Sequence, residues 1–139
     1  MIVAPSRPAA KRSDRCFACG THHPHGLRLR FVQDGEEAVS AVWRTDAAWQ
    51  GFEGVIHGGI VTAVLDESMS HAVAAGGVPA LTCELRVRLH HHVGPFEELK
   101  VRGWVVERHR RRIAAEATLK DGDGVERAHA WAVFLTPQP

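Results

Sequence analysis

Residues 55–66 read Val-Ile-His-Gly-Gly-Ile-Val-Thr-Ala-Val-Leu-Asp and decide the fold of this chain. A His-Gly-Gly turn opens an apolar helix, and Asp66 follows His57 by nine residues. Glycines at a helix start let another molecule approach backbone N–H groups, which carry the positive end of the helix dipole. Such groups can hold a carbonyl oxygen that gains negative charge. A carboxylate about two turns along the helix can supply a base or a nucleophile.

The helix that begins at Gly58 is predicted to end at Ala75, because two glycines and a proline follow within four residues. The side chains expected to pack on a sheet are Ile60, Val61, Val64, Leu65, Ser68 and Ala72. The opposite side holds Asp66 among small and apolar neighbours, which are Thr62, Ala63, Met69, Ser70 and Val73. A solvated face normally carries charged residues. We therefore expect a second subunit to cover this side; the alternative is a half-exposed surface aspartate.

Alternating apolar residues predict two strands before the helix and four after it. The first two strands, at residues 27–32 and 38–43, form a hairpin around the turn at residues 34–36. The later strands are expected at residues 81–90, 99–105, 113–119 and 128–134, with turns at 108–112 and 121–124. Antiparallel hairpins around one helix indicate an α+β domain.

Length and composition fit one globular domain at residues 16–139, preceded by a flexible tail at residues 1–15. The chain is 45% hydrophobic and 24% charged, as soluble proteins are. A net charge of +1 gives no argument for nucleic acid as a partner. No run of 18 apolar residues predicts a membrane span. The first eight residues lack the apolar core of a signal peptide, so we expect a cytoplasmic protein.

The order of elements and the motif at residues 57–59 with Asp66 and Ser70 resemble the hotdog-fold thioesterases, specifically the phenylacetyl-CoA thioesterase (PaaI-type) branch. The resemblance implies a hotdog fold, in which a curved antiparallel sheet of about six strands wraps one long helix. It also implies an acyl-CoA substrate, no cofactor, and a homodimer that often pairs into a tetramer. Active sites then lie at the subunit boundary.

Two further stretches carry the same resemblance. One runs from Arg86 to Leu99 and leads into Gly103. The other is the opening Cys-Phe-Ala-Cys-Gly at residues 16–20, followed by Pro-His-Gly-Leu at residues 24–27.

The resemblance assigns roles to four residues at the helix. Gly58 donates its backbone N–H to the thioester oxygen, and Gly59 supports the close approach. Asp66, contributed by the other subunit, acts as general base on water or as nucleophile. Ser70, one turn later, hydrogen-bonds this carboxylate or the water.

Three further positions have weaker assignments. Family members often orient the attacking water with an Asn or Gln upstream of the histidine, where this chain has Gly51, with Gln50 one residue off. Some members use a serine on the strand after the helix, where this chain has Thr82. His57 is expected to fix the turn through nearby backbone, with acid catalysis as the alternative.

Basic residues and cysteines suggest two ligand hypotheses. Arginine suits phosphate geometry, so coenzyme A phosphates could contact Arg86, Arg88, Arg110 and Arg111, unless these side chains are simply solvated. Zinc could bind the pair Cys16 and Cys19 with histidines of residues 22–25. Because no second cysteine pair follows, we predict no metal site and a tight loop with reduced thiols.

The function predicted from these residues is acyl-CoA thioester hydrolysis. One alternative is a non-catalytic acyl-CoA binding or sensing protein, which would keep Gly58 but not need Asp66. A second is a zinc-dependent interaction module built on residues 16–25. The acyl group is not encoded in any linear pattern.

Overall fold

The computed structural model describes residues 11–137 and contains one long helix and one sheet. Its elements are β1 (Val32–Gln33), β2 (Ala38–Arg44), a 3-10 helix (Ala47–Trp49), α1 (Gly58–Ala75), β3 (Leu81–Leu89), β4 (Glu98–His109), β5 (Arg112–Lys120) and β6 (Glu126–Leu135). The antiparallel sheet has the order β1-β2-β4-β5-β6-β3. The predicted α+β hotdog fold is confirmed, and α1 has the predicted bounds.

The sheet wraps α1, which packs against every strand from β2 to β6. Register shifts interrupt the β3–β6, β4–β5 and β5–β6 ladders, and such irregularities bend a sheet. The space between helix and sheet holds the largest fully buried side chains, among them Trp43, Leu65, Met69 and Phe134. The burial of these apolar side chains is the main favourable contribution to folding.

The closest approach of α1 to the sheet occurs at Gly103 of β4. A Cβ atom at this position would lie 2.6 Å from the carbonyl carbon and oxygen of Ser68 and 2.9 Å from the amide nitrogen of Met69. The Ser68 hydroxyl donates to the carbonyl of Leu65 within the helix, so no polar group is left unpaired at this contact. Only glycine allows the helix backbone to rest on the strand here.

The first predicted strand is wrong over most of its length. Only Val32 and Gln33 pair with β2, whereas residues 27–31 are irregular. Arg28 adopts a left-handed conformation with φ of 55°, which interrupts an extended segment. The amides of Leu27 and Leu29 instead donate to the carbonyls of Phe17 and Ala18, and both leucines are buried. The apolar alternation thus reflects burial beneath the loop of residues 16–20.

The helix face opposite the sheet is narrower than the periodicity predicts. Met69 and Val73 are fully buried within the single chain, because the curved sheet covers more than half of the helix circumference. The side that a second subunit is expected to cover therefore reduces to Thr62, Ala63, Asp66 and Ser70, which remain partly accessible in the single chain.

One edge of the sheet is long and apolar. β3 pairs only with β6 in the described part of the chain, so its other edge carries unpaired backbone groups over nine residues. Leu85 and Leu89 on this strand are 38% and 50% exposed. Such an edge is a template for another strand.

Within residues 11–137, no helix combines the length and apolar character needed to cross a bilayer. The tail predicted at residues 1–15 falls largely outside the described residues. Of its last five residues, Arg12 contacts α1 through Glu67 and Ser70.

We expect Gly103→Ala to destabilise the protein by at least about 1–3 kcal/mol, because a methyl group would press on helix backbone that cannot rotate away. Gly122→Ala is the matched control, since a Cβ there meets nothing within 4 Å. Urea denaturation followed by circular dichroism measures both free energies of unfolding. Equal values for the two variants would contradict close packing at Gly103.

Candidate active site

The start of α1 is fixed by a hydrogen-bonded loop. Gln50 forms an antiparallel bridge with Ile56, and the Ile56 amide donates to the carbonyl of Val93. The His57 amide donates to the carbonyl of Trp49. These bonds hold the chain extended up to His57, whose φ and ψ of −55° and 130° are not helical.

His57 caps the helix as predicted. Its Nδ1 accepts a hydrogen bond from the Gly59 amide at 2.9 Å, and its carbonyl accepts from the amides of Ile60 and Val61. The Gly58 amide, by contrast, forms no hydrogen bond with any described residue. A free N–H at the positive end of a helix is a donor for a carbonyl oxygen or an oxyanion.

A side chain would meet different neighbours at the two glycines of the turn. A Cβ at Gly59 would lie 3.0 Å from His57 Nδ1 and press on the capping ring. A Cβ at Gly58 would lie 3.1 Å from Cδ1 of Leu89, at the end of β3. The free Gly58 amide is therefore adjacent to the exposed edge of the sheet.

Two pockets flank His57. One, of about 400 Å³, is lined by Gly51, Phe52, Val55, Ile56, His57 and Gly58. The other, of about 370 Å³, is lined by Phe17, His25, Ala48, Trp49, Gln50, His57 and Ile60. Most of their lining side chains are apolar or aromatic, and such a surface suits an acyl chain. Phe52 at the rim of the first pocket is 85% exposed.

Asp66 lies on α1 beside the first residues of β3. Its Oδ1 accepts a hydrogen bond from the Thr82 hydroxyl at 2.7 Å. Burial raises the pKa of Asp66 and the adjacent Glu67 raises it further, while the Thr82 hydrogen bond and Arg12 oppose the rise. A carboxylate with a raised pKa is a stronger base. The structure thus brings together two predicted site residues, Asp66 and Thr82.

Glu67 has the opposite electrostatic environment. Only 8% of the residue is exposed, and its carboxylate forms a salt bridge with Arg12. Burial alone would raise the pKa of Glu67, but His71, the Cys19 thiol and Arg12 lower it to about 2. The carboxylate is therefore held charged.

Gly58 and Asp66 of one chain cannot act on the same carbonyl group. Eight residues of helix separate them, and eight rises of about 1.5 Å amount to about 12 Å along the axis. Gly58 is near Leu89 at one end of β3, whereas Asp66 is near Thr82 at the other end. Each single chain therefore presents two half-sites.

Ser70 and Gln50 form hydrogen bonds with residues other than Gly58 and Asp66. The Ser70 hydroxyl accepts from Arg12 Nη2 at 2.8 Å. The Gln50 amide spans its own loop, donating to the Ala47 carbonyl and accepting from the Gly54 amide. A Cβ at Gly51 would lie 3.2 Å from His57 Cδ2, so a longer side chain there would push against the capping ring.

The four candidate phosphate-binding arginines lie in two regions. Arg86 of β3 stacks over the Trp131 ring at 4.5 Å, and Arg88 is two residues further along the same strand face. Arg110 and Arg111 form the β4–β5 turn, where Arg111 donates through Nε and Nη2 to the Thr136 carbonyl. Arg88 and Arg110 are exposed and have no side-chain hydrogen bond to a described residue.

Sequence reasoning missed Arg12 and the burial of Glu67. The helical spacing of Glu67 and His71, at i and i+4, is a signal that could have predicted their contact. Nothing local in the sequence indicates that Arg12 reaches α1, because 55 residues separate it from Glu67.

Comparison with known proteins identifies the family. Residues 53–128 match the family model described as thioesterase superfamily. The chain belongs to this superfamily. The matched part of this thioesterase-superfamily chain includes α1, the His-Gly-Gly turn and β3 to β5. No protein of curated function matches the sequence significantly.

Solved structures share the fold. A thioesterase superfamily protein has 23% identity and a TM-score of 0.80 over 85% of this chain, which spans 61% of that protein. A Streptococcus mutans protein bound to acetyl-CoA has 18% identity and a TM-score of 0.74, covering 83% of this chain and 96% of its own. The E. coli PaaI protein of the phenylacetic acid degradation operon has 12% identity and a TM-score of 0.76, covering 81% of each chain.

The adjacent carboxylates predict opposite pH dependences of stability. The folded-state pKa of Asp66 lies above the ordinary aspartate value of 3.8, so the contribution of Asp66 to stability is fully present below pH 3.8 and is lost as the pH rises through the folded-state pKa. The contribution of Glu67 to stability is fully present above pH 4.5 and is lost as the pH falls through the folded-state pKa of about 2.

We therefore expect Asp66→Asn to gain stability relative to wild type as the pH rises from 3.8. Glu67→Gln should lose stability relative to wild type as the pH rises from about 2 to 4.5. Urea denaturation at a series of pH values measures both differences. If both variants shifted in the same direction, the assigned environments would be wrong.

Proposed function

We propose that this protein is an acyl-CoA thioesterase that hydrolyses a thioester to the free acid and coenzyme A. The observation that carries the proposal is the Gly58 amide at the start of α1, which has no partner among the described residues and belongs to a residue that lines an apolar pocket. Superfamily membership and the acetyl-CoA in the Streptococcus mutans relative support a coenzyme A ester as the substrate class.

The active unit in this proposal is a homodimer formed along β3. An antiparallel pairing of two β3 edges about Leu85 puts Leu89 of one copy opposite Leu81 of the other. Leu89 is beside Gly58, and Thr82 beside Asp66 follows directly after Leu81. Two-fold symmetry therefore brings the Gly58 half-site of each chain to the Asp66 half-site of its partner.

The chemistry starts with the thioester carbonyl oxygen accepting a hydrogen bond from Gly58. In the general-base route, Asp66 of the partner removes a proton from water as the water oxygen attacks the carbonyl carbon. The negative charge of the tetrahedral intermediate rests on the oxygen at Gly58. The carbon–sulfur bond then breaks, and the thiolate leaves and takes up a proton. In the alternative route, a carboxylate oxygen of Asp66 attacks the carbonyl carbon, the carbon–sulfur bond breaks, and the coenzyme A thiolate leaves and takes up a proton. Water then hydrolyses the resulting mixed anhydride, which releases the free acid and restores Asp66.

Thr82 and Ser70 support the carboxylate in this scheme. Thr82 donates to Asp66 Oδ1 and leaves Oδ2 for water or substrate. Ser70 lies one turn after Asp66 and accepts from Arg12, so its own hydroxyl hydrogen is available for Asp66 or the water. We assign His57, Gly59 and Gln50 to holding the loop that presents the Gly58 amide.

Arginines at the β4–β5 turn are candidates for the coenzyme A phosphates. Arg112 and Leu81 both pair with Leu135, so this turn lies at the same end of the sheet as Thr82. Arg110 at this turn is exposed. Arg88 on β3 is the second exposed candidate, whereas Arg86 and Arg111 are engaged with Trp131 and Thr136.

A non-catalytic acyl-CoA binding protein is the alternative supported by the same pockets. It would use the Gly58 amide and the apolar lining but have no need for a buried, hydrogen-bonded Asp66. Acyl-CoA binding without release of free thiol would favour this alternative. A panel of aromatic and straight-chain acyl-CoAs, assayed with a thiol reagent, distinguishes the two functions.

We expect Asp66→Asn to lower kcat by at least about 10²–10³-fold while the protein remains folded, since the amide cannot accept the proton from water. Glu36→Gln is the matched control, because this exposed carboxylate lies in the β1–β2 turn and forms no side-chain hydrogen bond with a described residue. Thiol release under saturating acyl-CoA measures kcat. Full activity in a folded Asp66→Asn protein would refute the mechanism.

Subunit complementation tests the shared site directly. Gly58→Val and Asp66→Asn should each be inactive, but mixing the two unfolded chains and refolding them should restore about a quarter of wild-type activity. Half of the dimers are then mixed, and each mixed dimer has one intact Gly58–Asp66 pair. Refolding each variant alone is the control. No recovery in a proven mixed dimer would place the site within one chain.

A further inference from the structure

A cluster of metal-ligand side chains lies behind the half-site, on the other side of α1 from Thr82. It contains Cys16, Cys19 and Glu67, whose sulfur atoms and carboxylate oxygen all lie within 4.8 Å of one another. It is the only such group of three in the part of the chain that the structure describes. The thiol of Cys16 is 3.4 Å from Oε2 of Glu67.

The loop that carries both cysteines is closed by backbone contacts. The Gly20 amide donates to the Cys16 carbonyl at 2.8 Å, and the Cys16 amide donates to the Ser13 carbonyl at 3.0 Å. A Cβ at Gly20 would lie within 2.6 Å of backbone atoms of Asp14 and Cys16. The loop is therefore too tight for any side chain at Gly20, and this tightness keeps the two thiols on the side that faces α1.

The spacing of these atoms matches the edges of a zinc tetrahedron. With zinc–sulfur bonds of about 2.3 Å and zinc–oxygen bonds of about 2.1 Å, sulfur and oxygen ligands are about 3.6 Å apart. The observed separation of Cys16 Sγ from Glu67 Oε2 is 3.4 Å. This distance therefore fits one edge of the tetrahedron, and the other two separations in the group are at most 4.8 Å.

His71 adjoins this group through Glu67 and is the candidate for a fourth ligand, although its ring lies outside the set of atoms within 4.8 Å of one another. Its Nε2 is 3.4 Å from Glu67 Oε2, and nitrogen and oxygen ligands of one tetrahedral zinc are also about 3.4 Å apart. This buried nitrogen has no aligned hydrogen-bond partner among the described residues. The imidazole stacks on Phe31 with ring centroids 4.4 Å apart, which fixes its orientation.

The Glu67 carboxylate divides its two oxygens between two tasks. Oε2 faces the cluster, whereas Oε1 accepts from Arg12 at 3.3 Å. Metal-ligating carboxylates are commonly oriented by such an outer hydrogen bond. Two thiolates and a carboxylate carry three negative charges, which zinc and the Arg12 guanidinium balance.

We propose that Cys16, Cys19, Glu67 and His71 bind one Zn²⁺ ion. Two thiolates with an imidazole favour zinc over magnesium or calcium, which prefer oxygen ligands. Four protein ligands leave no open position, so the ion is structural. The histidines of residues 22–25, considered from the sequence, are not part of this site, because the residue that joins the two cysteines is Glu67 of α1.

A zinc ion here would attach the cysteine loop to the helix that carries Asp66. Phe17 lies between the two cysteines in sequence and lines the pocket beside His57, as does His25 further along the loop. The ion would therefore hold one wall of that pocket in place. This role is independent of thioester cleavage.

Zinc content of the full-length protein tests the proposal. Reduced protein is stripped with a chelator, incubated with zinc sulfate, desalted and measured by elemental analysis. We expect one zinc per chain in wild type and loss of that zinc in the double variant Cys16→Ser/Cys19→Ser. Cys83→Ser is the matched control, because this exposed cysteine lies on β3 outside the cluster, and it should retain full zinc content.

Two further measurements keep the test decisive if the double variant folds poorly. Cobalt added to stripped wild-type protein should give the strong absorption of thiolate-to-cobalt charge transfer, and His71→Ala should weaken zinc affinity at least about tenfold. Replacement of His22, His23 and His25 by alanine should leave zinc content unchanged. Wild-type protein that retains no zinc and gives no cobalt–thiolate absorption would overturn the proposal.

Discussion

The contact between Gly103 and the backbone of Ser68 determines where α1 lies in the sheet. Because the helix rests directly on β4, its rotation and its height above the sheet are both set at this point. The Gly58 amide at one end and Asp66 in the middle are carried by the same rigid helix. The position of each half-site relative to β3 therefore follows from one glycine on a strand that contributes nothing to the chemistry.

Neighbouring carboxylates on α1 acquire different properties because one residue of helix rotates the side chain by about 100°. Asp66 points toward Thr82 and the sheet edge, where burial outweighs its few favourable contacts. Glu67 points toward Arg12, His71 and the Cys19 thiol, which favour its charged form. The helix thus gives two neighbouring carboxylates, which differ by one methylene group, opposite shifts of pKa.

The sequence predicted the elements whose signals are local. The bounds of α1, the order of the later strands and the histidine cap all follow from turn residues and periodicity within short windows. The failures involve long-range contacts. The left-handed Arg28, the burial of Met69 and the meeting of Cys16 with Glu67 depend on how the curved sheet and the N-terminal loop enclose the helix. Half-sites at opposite ends of β3 likewise become visible only in three dimensions.

The unpaired edge of β3 exposes each chain to aggregation before two chains associate. The outer edge of β3 is unpaired over nine residues and carries exposed leucines, so a strand of another partially folded protein can pair with it. Such pairing is a route to aggregation. In the homodimer proposed above, self-pairing of two β3 strands closes this edge. Newly synthesised chains would therefore need to associate rapidly. At a low expression level association is slower, and a larger fraction of chains would aggregate before they form the dimer.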